Sequence, residues 1–281
     1  MSGNTTQITV LVENTAKQRN LLGEHGLAFL IERNGKRILF DTGQGLALQH
    51  NAATLGLDLS NVDTVALSHG HYDHTGGLLQ TLPCFSQAKV YVHASAFCDR
   101  FSQNADGQSH PVRSPIESLD WLSSHVGKII PIENKPVEIG DGIWLTGQIP
   151  RQNDYEDTGG AFYLDEACTK PDLLIDDQAM FMETAEGIVV LLGCAHSGVV
   201  NTLEYICKLT GPKRIHAVIG GMHLLHADEN RMAQTIQQLL KVDIKKVGLA
   251  HCTGFPAMAR LYAELPDRCF HAGAGTQTTF E

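Results

Sequence analysis

Ser68-His69-Gly70-His71-Tyr72-Asp73-His74-Thr75-Gly76-Gly77 decides how the rest of the chain is read. Four side chains able to bind metal fall within six positions, and small or hydroxyl residues surround them. His69 and His71 are two apart, so an extended or loop backbone points both to the same side. Asp73 and His74 are adjacent and diverge, which lets them serve a second ion beside the first. Neutral imidazoles and a carboxylate suit zinc and other borderline divalent ions. A solvated His-rich tract would sit in low-complexity sequence. This cluster instead follows an apolar run at the junction of a strand with a helix, and it reads as a metal site.

Working outward, the same arrangement recurs. Residues 62–67 are a buried strand that delivers the cluster, and residues 38–40 are a strand ending at Asp41. The apolar run 188–192 leads into Gly193-Cys194-Ala195-His196, residues 215–219 into Gly220-Gly221-Met222-His223, and residues 247–250 into His251. Ligands in α/β sheets gather at the carboxyl ends of strands. Repetition of one geometry is harder to dismiss than any single His. Asp41 either caps the Thr42-Gly43 turn or accepts a proton from a ligating His and fixes its tautomer.

The remaining elements follow from periodicity and turn chemistry. Residues 8–12 and 27–31 are strands, with Asn34-Gly35 the hairpin turn before 38–40. Helices are expected over 46–55, from 75 or 76 to 82 before Pro83, over 199–209, over 229–241 behind an Asp228 cap, and from Pro256 to 265. Residues 129–132, 137–139 and 143–145 read as three strands of a second antiparallel sheet. His93 closes the strand 90–92 and reads as structural. Residues 97–128 lack clean periodicity, and so long an irregular stretch is usually a lid or binding loop. Arg100, His110 and Arg113 are placed there to meet an anionic substrate, or else are solvated surface charges.

Composition narrows the class. The 281 residues are 43% hydrophobic and 19% charged, which fits a compact chain with a sizeable core. One domain over 1–281 is favoured, since no linker or repeat divides it. A formal charge of −10 argues against a nucleic-acid groove, which needs clustered Lys and Arg. The first seven residues have neither a basic nor an apolar targeting region, and no apolar run approaches the roughly 18 residues of a membrane span. Seven scattered cysteines without a C-x-x-C pair read as reduced thiols, so a cytoplasmic setting is expected. Cys194 and Cys252, flanking the strand-end histidines, read as packing residues.

The pattern His-x-His-x-Asp-His at His69, His71, Asp73 and His74 resembles the metallo-β-lactamase superfamily. Asp41-Thr42-Gly43, Gly193-Cys194-Ala195-His196 and Ala250-His251-Cys252 resemble its other motifs. Glu24-His25-Gly26, Asp176-Asp177-Gln178, the Gly-Gly-Met-His turn, His251-Cys252-Thr253-Gly254 and the Thr146–Arg151 region with Glu156 are similar to its superfamily II metal-dependent hydrolases. That subgroup includes archaeal enzymes joining a dihydropterin to a ribosyl-aminobenzene phosphate. The resemblance implies an αββα sandwich of two mixed sheets flanked by helices. It implies that His69, His71 and His196 hold one metal ion, and Asp73, His74 and His251 another. Zinc is the expected metal, with iron and manganese as alternatives. Asp41, Glu24, Arg151 and Asp177 are expected to support the site or meet substrate.

Two ions about 3.5–4 Å apart share a hydroxide whose pKa falls to about 7, so a nucleophile exists at neutral pH. Asp73 is the expected catalytic residue, orienting that nucleophile. One departure stands out. Many dinuclear relatives carry a bridging acid where this chain has His223, and a neutral imidazole offers a single lone pair. His223 is expected to bind one ion or a substrate oxygen; Asp228 is an outside candidate for the missing acid. Three functions compete: a hydrolase of a small ester or phosphoester, a transferase releasing diphosphate, and a metal-dependent binding or regulatory protein.

Overall fold

The computed structural model describes residues 5–211 and 214–281. The first four residues of the amino-terminal stretch discussed above lie outside it. Strands β1 (Thr6–Val12), β2 (Ala28–Arg33) and β3 (Lys36–Phe40) form an antiparallel meander. Asn34 and Gly35 both take positive φ, 51° and 78°, as the tight hairpin turn requires. Helix α1 (Leu48–Thr54) then crosses to β4 (Thr64–Ala66), and α2 (Tyr72–Thr81) to β5 (Lys89–His93), each new strand parallel to the last.

The segment expected to be irregular has its own structure. It contains the hairpin β6 (Phe101–Gln103) and β7 (Ser109–Pro111) and the short helix α3 (Leu119–Ser123). Ser118 caps α3 by accepting the Trp121 N–H. That helix returns the chain to β8 (Lys128–Ile132), which pairs parallel to β5. Residues 129–132 therefore belong to the first sheet, not the second as expected. Strand patterning identifies a strand but not its partner, and here a helical crossover permits parallel pairing.

The second sheet opens with β9 (Val137–Gly140) and β10 (Ile143–Leu145). After β11 (Phe162–Tyr163), which pairs with β6, come β12 (Met180–Thr184) and β13 (Gly187–Leu192). Helix α4 (Val199–Thr210), β14 (Ile215–Gly221), α5 (Glu229–Lys241), β15 (Lys246–Ala250), α6 (Phe255–Glu264) and β16 (Cys269–His271) follow as parallel crossovers. Finally β17 (Gln277–Phe280) returns to pair with β1. The sheet orders are β17-β1-β2-β3-β4-β5-β8 and β16-β15-β14-β13-β12-β10-β9, with β11-β6-β7 a small third sheet.

Alternation along the strands builds the layers. Val189 and Leu191 of β13 join Phe29, Phe40 and Phe280 between the two sheets. Ile188, Val190 and Leu192 turn outward against Leu203 and Ile206 of α4 and Leu239 of α5. The first sheet packs its other face, through Leu30, Leu39 and Val65, on Leu48, Leu78 and Leu122 of its helices. Burial on both faces explains why β13 reads as continuously apolar. The result is helix, sheet, sheet, helix. Among the described residues, no helix is long and apolar enough to cross a membrane.

Candidate metal centre

The carboxyl ends of β3, β4, β13, β14 and β15 converge, as crossovers of one hand require. Asp73 and His74 lie inside the first turn of α2, three residues earlier than expected for that helix. His71 is its extended N-cap residue, and its carbonyl accepts the His74 and Thr75 N–H groups and the Thr75 hydroxyl. Gly77 lets the helix sit directly on the β3 turn: a Cβ there would lie 2.0 Å from the Thr42 carbonyl oxygen. Asp41, Ala195, His223 and His251 all hold positive φ, between 47° and 62°. Such backbone is uncommon for these residues and clusters at functional sites.

Hydrogen bonds fix the imidazole tautomers. Ser68 Oγ donates to Asp41 Oδ2 at 2.6 Å, so its lone pairs accept from His69 Nδ1 at 2.9 Å. His74 Nδ1 donates to the same Asp41 oxygen at 2.7 Å. His196 Nδ1 donates to the Thr158 carbonyl, and His251 Nδ1 to Asn14 Oδ1, both at 2.8 Å. Each ring therefore turns an Nε2 lone pair inward. Asp41 thus takes the tautomer-fixing role rather than that of a simple turn cap.

The inward nitrogens lack protein partners. Nε2 of His69, His71, His196 and His223 are all buried without a hydrogen bond. The His69, His71 and His196 rings stand 4.6–4.8 Å apart, nearly perpendicular in pairs. His74 Nε2 faces His251 Nε2 at 3.3 Å, two lone pairs that repel unless a cation lies between them. Metal–nitrogen bonds of about 2.0–2.1 Å at tetrahedral angles set two nitrogens about 3.3 Å apart. The residues fit divalent ions. Buried polar groups left unpaired cost about 1–3 kcal/mol each, which bound ions would recover.

Electrostatics divides the cluster. Burial pushes His69, His71 and His196 well below the ordinary imidazole range, so they are neutral ligands. Burial opposes ionisation of Asp73, but His74, His25 and His251 hold its carboxyl well below the usual range. Burial likewise lowers His74, yet Asp41 and Asp73 outweigh it and raise the ring above its ordinary value.

Among the described residues, three groups of donors come within 4.8 Å of one another: His69, Cys194 and His196; His74, Cys194 and His251; and His25, Asp73 and His251. Two members were not foreseen as ligands. His25 Nε2 lies 3.2 Å from Asp73 Oδ2, as does His251 Nε2. The sequence carried His25 only as a family-like triplet far from the cluster. Cys194, expected to be packing, lies 3.1 Å from His74 Nε2. His223 points into the site, its ring 4.3 Å from that of His196.

The remaining expected residues divide between support of the site backbone and roles away from it. Glu24 accepts the N–H groups of Gln44, Gly45, Leu46 and Ala47, so its carboxylate organises the turn before α1 instead of the metal site. Arg151 donates to the His196 and Leu173 carbonyls from behind the site. Asp177 accepts the Ser197 N–H beside His196, and burial pushes its carboxyl up to about 6. Arg100 is buried between Asp172 and Asp176, and Arg113 pairs with Asp99, so neither reaches the centre. His110 alone of that trio lines the site. Asp228 caps α5 through the Arg231 N–H, and His93 accepts the Ser95 N–H. A cavity of about 170 Å³ overlies the cluster, and one of about 980 Å³ adjoins it. They share His25, Phe162, His223, His251 and Cys252.

Comparison with known proteins agrees with this geometry. The sequence model of the metallo-β-lactamase superfamily matches residues 22–96. A 7,8-dihydropterin-6-methyl-4-(β-D-ribofuranosyl)-aminobenzene-5'-phosphate synthase of Methanocaldococcus jannaschii is 31% identical over 269 residues, 89% of this chain and 88% of that protein. An uncharacterised protein of the same organism is 32% identical, covering 90% of this chain and 93% of its own. The crystal structure of Tm1679, described as a metal-dependent hydrolase of the β-lactamase superfamily, superposes with a TM-score of 0.82 at 28% identity. It covers 97% of this chain and 98% of that one. By sequence, fold and the convergence of its strand-end histidines, the chain belongs to the metallo-β-lactamase superfamily.

Proposed function

We propose that the protein is a dinuclear metal-dependent hydrolase acting on a small, anionic ester or phosphoester. The observation that carries this reading is the set of inward Nε2 lone pairs beneath an accessible cavity. Three of the rings have their Nδ1 tied from behind, through Ser68, Thr158 and Asn14, and His74 is tied by Asp41. His69, His71 and His196 would hold one ion, and Asp73, His74 and His251, joined by His25, the other. Zinc fits the mixed imidazole, carboxylate and thiol donors, and iron and manganese fit most of them. When bound, the pair supplies Lewis acidity and a neutral-pH nucleophile.

The protein's own residues do the rest. Asp73, held ionised, accepts a hydrogen bond from the attacking group and orients it. His223 presents its unpartnered Nε2 to a substrate oxygen or to one ion. Seven unpaired thiols accord with a reducing, cytoplasmic setting. The small sheet β11-β6-β7 brings Phe162 against the His71 and His196 rings, at 4.9 and 5.2 Å, and would serve as the lid.

A second reading is transfer with diphosphate release, in line with the similarity to a protein named as a synthase. It is favoured by the larger cavity, which shares a wall with the metal cavity and has room for a second substrate. The assay distinguishes them. Metal-loaded protein is expected to turn over chromogenic phosphodiesters or thioesters, and Asp73→Ala to abolish turnover with the fold intact. Diphosphate release that requires an aromatic amine would select the transferase. Silence toward both, with tight binding of a small anion, would select a regulatory role.

A further inference from the structure

The family resemblance implies a bridging acid at the strand end where this chain has His223. The structure offers another bridge. Cys194 belongs to both donor groups, with His69 and His196 on one side and with His74 and His251 on the other. It is the one residue common to those two groups. We propose that the Cys194 thiolate bridges the two metal ions in place of the carboxylate. This rests on the dinuclear reading above.

The placement follows from the backbone. Cys194 stands two residues past the end of β13, and Ala195, at φ 55°, turns the chain so that Cys194 and His196 both reach the centre. Gly193 beneath it is required: a Cβ there would lie 2.1 Å from Ser68 Oγ. The Cys194 side chain is buried at 3% exposure, among the unpartnered Nε2 atoms of His69 and His196. Its sulfur is 3.1 Å from His74 Nε2, close to one edge of a coordination polyhedron. A thiolate carries several lone pairs and binds zinc at about 2.3 Å, so one sulfur can serve two ions where an imidazole cannot. Cys252 lines the same cavity and meets the Cys194 and His223 side chains, but it stands one step further from the ligand nitrogens. Its sulfur is turned toward the Cys194 carbonyl at 3.6 Å and joins none of the three donor groups. A thiolate bridge also biases the centre toward zinc or ferrous iron over manganese, the harder ion.

The test is zinc K-edge absorption spectroscopy of the fully loaded protein, with metal content measured on the same sample. A bridge requires two ions per chain and one sulfur neighbour for every zinc, at about 2.3 Å. A terminal cysteine would give one sulfur for every two zincs. Cys194→Ser should remove the sulfur shell and the thiolate charge-transfer band of the cobalt form, and lower metal content toward one ion. Cys194→Asp, whose carboxylate can bridge, should restore two ions without sulfur. Cys252→Ser should keep the sulfur shell. Two ions with no sulfur, or with half a sulfur per ion, overturn the bridge while leaving the metal enzyme standing. A sulfur shell that survives Cys194→Ser and disappears in Cys252→Ser overturns it as well. A chain that binds no metal overturns the dinuclear reading itself.

Discussion

Behind His69, His71 and His196 the backbone is held by Asp176, with its Arg100 partner, and by Asp177, whereas His74 and His251 lean on Asp41 and Asn14 and share Asp73 with a partly exposed arm, His25. On the first side, the Gly70 N–H between His69 and His71 donates to Asp176, which Arg100 grips with two nitrogens. Asp177 and Arg151 hold the backbone on either side of the His196 peptide. On the second side, the His25 side chain is 55% exposed and reaches in from a loop. The first set is neutral and preorganised. The second carries the carboxylate, which His74, His25 and His251 hold ionised. A tight, prebuilt position beside an adaptable one suits chemistry in which one ion anchors and the other exchanges contacts with substrate.

The largest effect should come from breaking the brace. Arg100→Met leaves Asp176 buried with the Gly70 N–H but no countercharge, and such a loss costs about 3–5 kcal/mol. Denaturant unfolding should show that drop, and metal titration should show the first position weakened more than the second. Equal weakening of both would erase the distinction. Asp41→Asn should act differently, because Asp41 supports His69 through Ser68 and His74 directly. Asp41 accepts the Ser68 N–H on Oδ1 and both the Ser68 hydroxyl and His74 Nδ1 on Oδ2. An amide nitrogen cannot accept, so Asn cannot keep all three bonds, and both ions should weaken by about 10–100-fold. Competition with a chromophoric chelator reads this. His25→Ala is the mildest change: only the second ion should weaken, by less than about tenfold, since the side chain is largely solvated. An unchanged second ion would make His25 a substrate contact.

Much of this centre could be read before any coordinates. His69, His71, Asp73, His74, His196 and His251 follow apolar, β-branched runs, and such runs are buried strands whose ends must meet in a sheet. What escaped the reading depends on distant partners. The sequence pattern places the start of α2 late because Gly76 and Gly77 are poor helix formers, while the helix is set by the His71 carbonyl. Patterning points β8 to the second sheet, and the structure places it in the first, because alternation is the same whichever neighbour a strand joins. Glu24 has a charge that suggests the site or its substrate, but it is consumed by the backbone N–H groups of residues 44–47. Cys194 and His74 are 120 residues apart, so only the fold could bring that thiol to the centre.

The central claim, two ions held by two unlike sets, is tested most directly by titrating metal-free protein with zinc while counting bound metal by mass spectrometry. Wild type should take up two ions in distinguishable steps, and His71→Ala should lose the tighter step while keeping the other. A His71→Ala protein that binds zinc with the stoichiometry and affinity of wild type would contradict the account.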